Sequence, residues 1–152
     1  MQFQWLKKVE NPLVRPFYKK YLPYSRPSKA DAIAVLRNDG NIIACARLRS
    51  IGDFELLTGM LVAPHHRGEQ LGHALLRQMQ PQFHTGKTYT FALTSLIDFY
   101  QQHHFHIADA APNDIQQRYH AYCQQGKDLV LLAFNNSTNQ GADSLYNEVK
   151  LR

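Results

Sequence analysis

Cysteine is scarce in this sequence. Only Cys45 and Cys123 occur in 152 residues, and no CxxC spacing links them. A disulfide framework is excluded, and a reducing, cytoplasmic setting is expected. Both cysteines read as small buried hydrophobes. Long apolar runs are also missing. The longest, Leu129–Phe134, has six residues, against the roughly 20 that a membrane helix needs. Residues Met1 to Lys8 place no long apolar stretch behind a basic one, so no secretory signal peptide is expected. Acidic residues are few: Asp+Glu number 12 against 17 Lys+Arg, a net charge of +5. Hydrophobic residues make up 44% and aromatics 11% of the chain, which excludes a disordered polymer.

The basic surplus is concentrated. Residues 1–50 carry ten cations and three anions, a net +7, while residues 51–152 sum to −2. An anionic partner is expected for the first third of the chain. The length fits one domain, expected over residues 1–135, followed by a mobile polar tail over 136–152.

Periodicity marks the elements. Leu13, Phe17 and Tyr21 recur at helical spacing, with Asn11–Pro12 as a start and Pro16 as an alternative one. Ala30–Leu36 and Ile42–Leu48 read as strands around the Asp39–Gly40 turn, a strong hairpin signal. Phe54–Val62 is a third strand, and Gly59 inside it suggests a bulge. Leu71, Ala74, Leu75, Gln78 and Met79 form an amphipathic helical stripe. Thr88–Leu93 is a strand, Leu96–His103 a short helix and Phe105–Ile107 a short extended piece. Asn113 or Asp114 is expected to cap a further helix, which Gly126 closes. Asp128–Phe134 is the last strand. This order predicts an α/β fold, with a mixed central sheet flanked by helices in a single domain.

The segment that carries chemistry is Leu61–Leu76. A strand ends there, and a Gly-containing loop enters a helix. The first amides of a helix lack internal partners and its dipole is positive at that end, so a phosphate or diphosphate is favoured there. Gly68 and Gly72 let a ligand approach the backbone. Arg67 adds a positive charge.

Arg67-Gly68-Glu69-Gln70-Leu71-Gly72-His73-Ala74 resembles the acyl-CoA loop of the GNAT N-acetyltransferases: Arg or Gln, two variable residues, Gly, a variable residue, then Gly or Ala. Met60–Pro64 resembles the strand end before that loop, and Asp98–Phe105 the family's Leu-Tyr-x-x-x-Gly-Phe segment. The resemblance spans residues 30–107. Two positions depart from it: Gln70 and His104 stand where the family has Gly. The resemblance implies a mostly antiparallel sheet and acetyl-CoA as acyl donor. It implies that the backbone of Leu61 and Val62 pairs with the pantetheine arm. The pyrophosphate would lie on the amides of Arg67, Gly68, Glu69, Gln70, Leu71, Gly72, His73 and Ala74. Tyr100 matches the family's general acid. A phenol near pKa ~10 is close enough to a thiol near ~8.5 to protonate a leaving thiolate.

An attacking amine must lose a proton. Glu55, on the strand leading to the loop, is the candidate base, although a slip of one residue would turn it to the other face. His65, His66 and His73 are further candidates, because an imidazole can act as a general base. Neither the His65–His66 pair nor the His103–His106 run has the spacing of a metal site, so no metal is expected. The acceptor is expected to be a small-molecule or peptide amine, anionic or aromatic, beside Leu13–Lys29, where aromatics and cations alternate. Two other readings stand beside this one. One is a non-catalytic acyl-CoA-binding regulatory module. The other is a basic nucleic-acid-binding domain, disfavoured because no RRM, KH or zinc signature is present. A homodimer is left open and a membrane partner is not expected.

Overall fold

Alternating apolar and polar residues set most of the first half of the chain into strands. The computed structural model describes residues 1–136. It divides into two compact units, Met1–Gln82 and Phe83–Arg152. The tail expected over 136–152 lies outside the described residues from 137 onward.

Four strands of the first unit, β1 (Gln2–Trp5), β2 (Ala32–Asn38), β3 (Asn41–Ile51) and β4 (Phe54–Val62), pair antiparallel in that order. Sequence patterning had not indicated β1. Four residues with only Phe3 and Trp5 alternating make a weak signal. Pairing with β2, from Gln2↔Arg37 to Trp5↔Ala34, is what holds this segment extended. Strand β3 runs three residues beyond the expected Leu48, because Arg49 pairs with Leu56 and Ile51 with Phe54. The register of β3 against β4 slips between Cys45↔Leu61 and Arg47↔Thr58. This is the bulge expected at Gly59, whose φ is +66°.

Helix α1 (Arg15–Tyr21) covers one face of this sheet, after a 3₁₀ stretch over Lys8–Val14. Pro16 sits in its first turn, where a missing N–H costs nothing, so the helix takes the later of the two expected starts. Asn11 is an anchor, its Nδ2 donating to the Asp31 carbonyl at 3.1 Å. Val14 and Tyr18 pack with Ile33, Val35, Cys45 and Leu61. Helix α2 (Leu71–Met79) buries Leu71, Leu75, Leu76 and Met79. Gln78, expected on that stripe, is exposed, and Leu76 takes the inward place. Each fully buried Leu contributes about 1.5–3 kcal/mol.

In the second unit, β7 (Leu129–Phe134) lies between β5 (Thr88–Leu93) and β6 (Phe105–Ile107), antiparallel to both. Phe83, Phe105 and Phe134 form an edge-to-face triad with centroids 5.4–5.5 Å apart. Helix α3 is Ile97–Gln101, shorter than expected because Thr94–Leu96 is a 3₁₀ turn. Helix α4 (Asn113–Gln124) places Tyr119 and Tyr122 against Phe91. Pro112, rather than Asn113 or Asp114, takes its N-cap position.

Candidate functional site

Strand β4 ends at Val62, and Pro64–His66 forms one 3₁₀ turn. The Arg67 N–H closes that turn on the Pro64 carbonyl at 3.3 Å, so it is not among the amides left for a ligand. Ala74 N–H bonds to the Gln70 carbonyl at 3.1 Å and is likewise used within the helix. The amides from Gly68 to Gly72 take no part in those two bonds. A Cβ added at Gly68, whose φ is +85°, meets nothing within 4 Å, so its backbone borders open space. Arg67 folds back, its Nε donating to the Val62 carbonyl at 3.3 Å. His66 Nδ1 lies 3.1 Å from Glu69 Oε1, bracing the loop across three residues. Leu61 lies across from Cys45 and is buried, while Val62 lies across from Ala44.

Gln70 occupies the N-cap of α2 with φ +64°, in the left-handed region. His104 has φ +69°. Its N–H meets the Gln101 carbonyl at 3.3 Å, and its own carbonyl accepts the Asn135 N–H at 2.8 Å. Both residues stand where the resemblance calls for Gly, and both adopt the backbone that Gly adopts without penalty. The turns are therefore kept and strain is accepted in their place. A left-handed residue with a Cβ costs about 1–2 kcal/mol, while Gly loses about 0.5–1 kcal/mol to chain entropy. Gln70→Gly is therefore expected to stabilise the protein by about 0.5–1 kcal/mol, read as a melting temperature higher by a few degrees. An unchanged or lower melting temperature would contradict the strain.

Glu55 lies across from Ser50 near the start of β4. Facing residues of an antiparallel pair share a side of the sheet. Glu55 therefore stands on the side of Leu48 and Leu57, opposite that of Arg47 and Arg49.

Tyr100, on α3, is 6% exposed. Its ring meets Phe99 at 5.0 Å and Phe105 at 5.9 Å, both edge-on. Burial pushes the phenol up to about 12, against the pull of a hydrogen bond with Thr90. The phenol is thus a weaker acid than a free tyrosine.

The sequence reading missed a buried ionic cluster in the first unit. Asp31 receives Arg47 Nε and Arg49 Nε, each at 3.0 Å, with its own side chain fully buried. Ser28 N–H caps it at 2.8 Å. Arg47 also donates to Ser25 Oγ at 3.0 Å and to the Arg26 carbonyl at 3.4 Å. Part of the signal was present: Arg47 and Arg49, two apart on a strand, must share a face, but nothing in the sequence favoured Asp31 over the nearer Asp39 as their partner. Tyr18, one of the aromatics expected to meet an acceptor, is turned inward over Arg47 at 4.7 Å and is 2% exposed.

Cys45 lies directly across from Leu61, near the end of β4. Burial holds its thiol at about 12, so it acts as a small hydrophobe. Among the described residues, no three His, Cys, Asp or Glu side chains group as metal ligands. No helix among them is long and apolar enough to cross a membrane.

A sequence profile described as the acetyltransferase (GNAT) domain matches residues 29–107. No curated protein matches the chain in sequence. Solved structures share its fold. N-acetylglutamate synthase from Neisseria gonorrhoeae, complexed with coenzyme A and N-acetyl-glutamate, aligns at TM-score 0.60 and 21% identity. That alignment covers 88% of this chain but only 34% of the synthase, about a third of its length. Rv2747 from Mycobacterium tuberculosis, also solved with CoA, aligns at TM-score 0.65 and 12% identity, over 88% of this chain and 98% of that one. The ribosomal-protein-S18-alanine N-acetyltransferase from Escherichia coli aligns at TM-score 0.58 and 13% identity, over 88% and 92% of the two chains. With the profile spanning more than half of its length, across the strand–loop–helix junction and the Tyr100 helix, the chain belongs to the GNAT acetyltransferase family.

Proposed function

We propose that this protein transfers an acetyl group from acetyl-CoA to an amine by direct attack in a ternary complex. The observation that carries the reading is the loop after β4. There Gly68 and Gln70 adopt left-handed backbone ahead of the nine-residue helix α2. This brings a run of amides and a helix N-terminus together, which suits a diphosphate. The two CoA-bound structures that share the fold support the same donor. Leu61 and Val62 pair with the pantetheine arm, and Arg67 and the amides from Gly68 to His73 hold the diphosphate.

In the reaction, the amine nitrogen bonds to the thioester carbonyl carbon and the C–S bond breaks. Tyr100 gives its proton to the departing thiolate. The proton that the amine loses passes to solvent water; Glu55, near the start of β4 on the face opposite Arg47, does not line the acceptor groove described below. That proton returns to the phenolate through solvent, so the enzyme ends as it began. Direct attack is favoured over an acetyl-enzyme because the Cys45 thiol is fully buried and held protonated.

The acceptor side of the proposal rests on a groove of about 630 Å³ in the first unit, lined by Phe17, Lys20, Tyr21, Arg37, His65 and His66 among others. Phe17 and Tyr21 meet edge-on at 5.3 Å, and Lys20 Nζ stands 5.2 Å from the Tyr21 ring centroid. Cations beside aromatics suit an amine that also carries an anionic or aromatic group. The synthase that shares the fold was solved with N-acetyl-glutamate, which is in keeping with such an acceptor. Lys20→Glu is expected to raise the acceptor KM about three- to tenfold. Lys19→Glu, one residue away and outside the groove, is expected to leave it within twofold. Equal effects of the two would place the acceptor elsewhere.

Calorimetry with acetyl-CoA and turnover on a panel of amines test the activity itself. Binding with turnover is expected. Binding without turnover on any amine would favour a regulatory acyl-CoA-binding module on the same fold. A cytoplasmic location belongs to the same proposal.

A further inference from the structure

Gly59 is held from below by two side chains that the chemistry described so far does not use. The Tyr18 hydroxyl donates to the Gly59 carbonyl at 2.6 Å. A Cβ added at Gly59 would collide with Arg47 Nη1 and lie 2.8 Å from the Tyr18 hydroxyl oxygen. Arg47 is in turn packed on the Tyr18 ring and tied to Asp31, Ser25 and the Arg26 carbonyl. Both side chains are at most 2% exposed. The connection between α1 and β2 thus reaches through Arg47 and Tyr18 to the bulge of β4.

A peptide unit is planar and trans, so its C=O and N–H point in opposite directions. Fixing the Gly59 carbonyl on Tyr18 therefore fixes the Met60 N–H pointing away from Tyr18. Left-handed Gly59 has wide backbone freedom, and without the hydroxyl this peptide would be free to rotate. Met60 immediately precedes Leu61 and Val62, the residues assigned to the pantetheine arm.

We propose that Tyr18 and Arg47 are positioning residues for the acyl donor, holding the Gly59–Met60 peptide so that the Met60 N–H meets a carbonyl of acetyl-CoA. The proposal rests on the acyltransferase reading above. Tyr18 sets the peptide, and Arg47 keeps Tyr18 from swinging by stacking on it. The Asp31 carboxylate keeps Arg47 in place. Gly is required at position 59 because any Cβ there would occupy the space of the clamp.

Tyr18→Phe removes one hydroxyl and keeps the ring that packs on Arg47. It is expected to weaken acetyl-CoA binding about five- to tenfold by calorimetry, the range of one net hydrogen bond. Val14→Ala is the control. It opens a cavity in the same cluster under α1 without touching Gly59. Val14→Ala is expected to lower the melting temperature at least as much as Tyr18→Phe and to leave acetyl-CoA affinity within twofold. Wild-type affinity in Tyr18→Phe would overturn the proposal, as would an equal loss in Val14→Ala. If the wild-type protein itself failed to bind acetyl-CoA, the acyltransferase reading would fall and the positioning role with it. Wild-type binding with unaffected Tyr18→Phe would remove only the positioning role.

Discussion

Tyr100→Phe is expected to lower kcat by roughly 10²–10⁴-fold, the usual contribution of a placed proton donor, while acetyl-CoA still binds. The substitution removes the proton that the departing thiolate would take and leaves an aromatic ring of nearly the same shape between Phe99 and Phe105. Stability is expected to fall by only about 1 kcal/mol, for the lost hydrogen bond with Thr90. The high phenol pKa sets a further expectation. A group held near 12 stays protonated through the neutral and mildly alkaline range. The rate should therefore show no downward limb from Tyr100 below about pH 11. Burial also raises the pKa of a thiol leaving in a dry site, so donor and acceptor move in the same direction. Steady-state kinetics across pH, with calorimetry for binding, checks both points. A variant with full kcat would remove Tyr100 from the chemistry.

The second large effect is on stability. Asp31→Asn is expected to cost about 3–5 kcal/mol, because it leaves the charge of Arg47 buried and uncompensated. Domains of this size are held by about 5–15 kcal/mol in all, so the melting temperature should fall by roughly ten degrees or more. Arg47→Met added to Asp31→Asn should recover part of the loss, since replacing an ion pair by packed apolar groups is often tolerated. Additive losses would show that the pairing itself contributes little.

The same carboxylate sets a pH dependence. Burial alone would raise the pKa of Asp31, but hydrogen bonds from Arg49 and Ser28, with the charges of both arginines, outweigh it and hold the carboxyl below its ordinary value. A depressed folded-state pKa means that the unfolded chain takes up the proton first as pH falls. The contribution is thus fully present above about pH 4–5 and is lost as acid protonates Asp31 in the folded state. Denaturant melts between pH 3 and 7 should show stability falling toward the acid end. That slope should flatten in Asp31→Asn.

Much of the fold could be read from the sequence because the apolar period changes sharply between strands and helices. Strand β4 and helix α2 emerged from that change, and so did the loop between them. What escaped had no periodic signature. Strand β1 is four residues long, and its extended form depends on β2. The left-handed turns at Gln70 and His104 hide because their residues are not glycine, and only tertiary context imposes the backbone. The cluster at Asp31 hid within a charge count. Part of the +7 surplus is committed inside the protein, with Arg47 and Arg49 on Asp31 and Arg37 on Gln4 and the Gly40 carbonyl. The cations left for an acceptor are therefore fewer than the composition implies, and Lys20 is the one that borders both Tyr21 and the groove.

The two cysteines differ in a way that has practical use. Cys45 is sealed between β2 and β4 with its thiol held protonated, whereas Cys123 on α4 is only partly covered. Thiolate is the form that maleimides and iodoacetamides attack. The wild-type protein thus already carries a single addressable attachment point, on a helix of the second unit. A dye or spin label placed there needs no engineered cysteine and no removal of the native one.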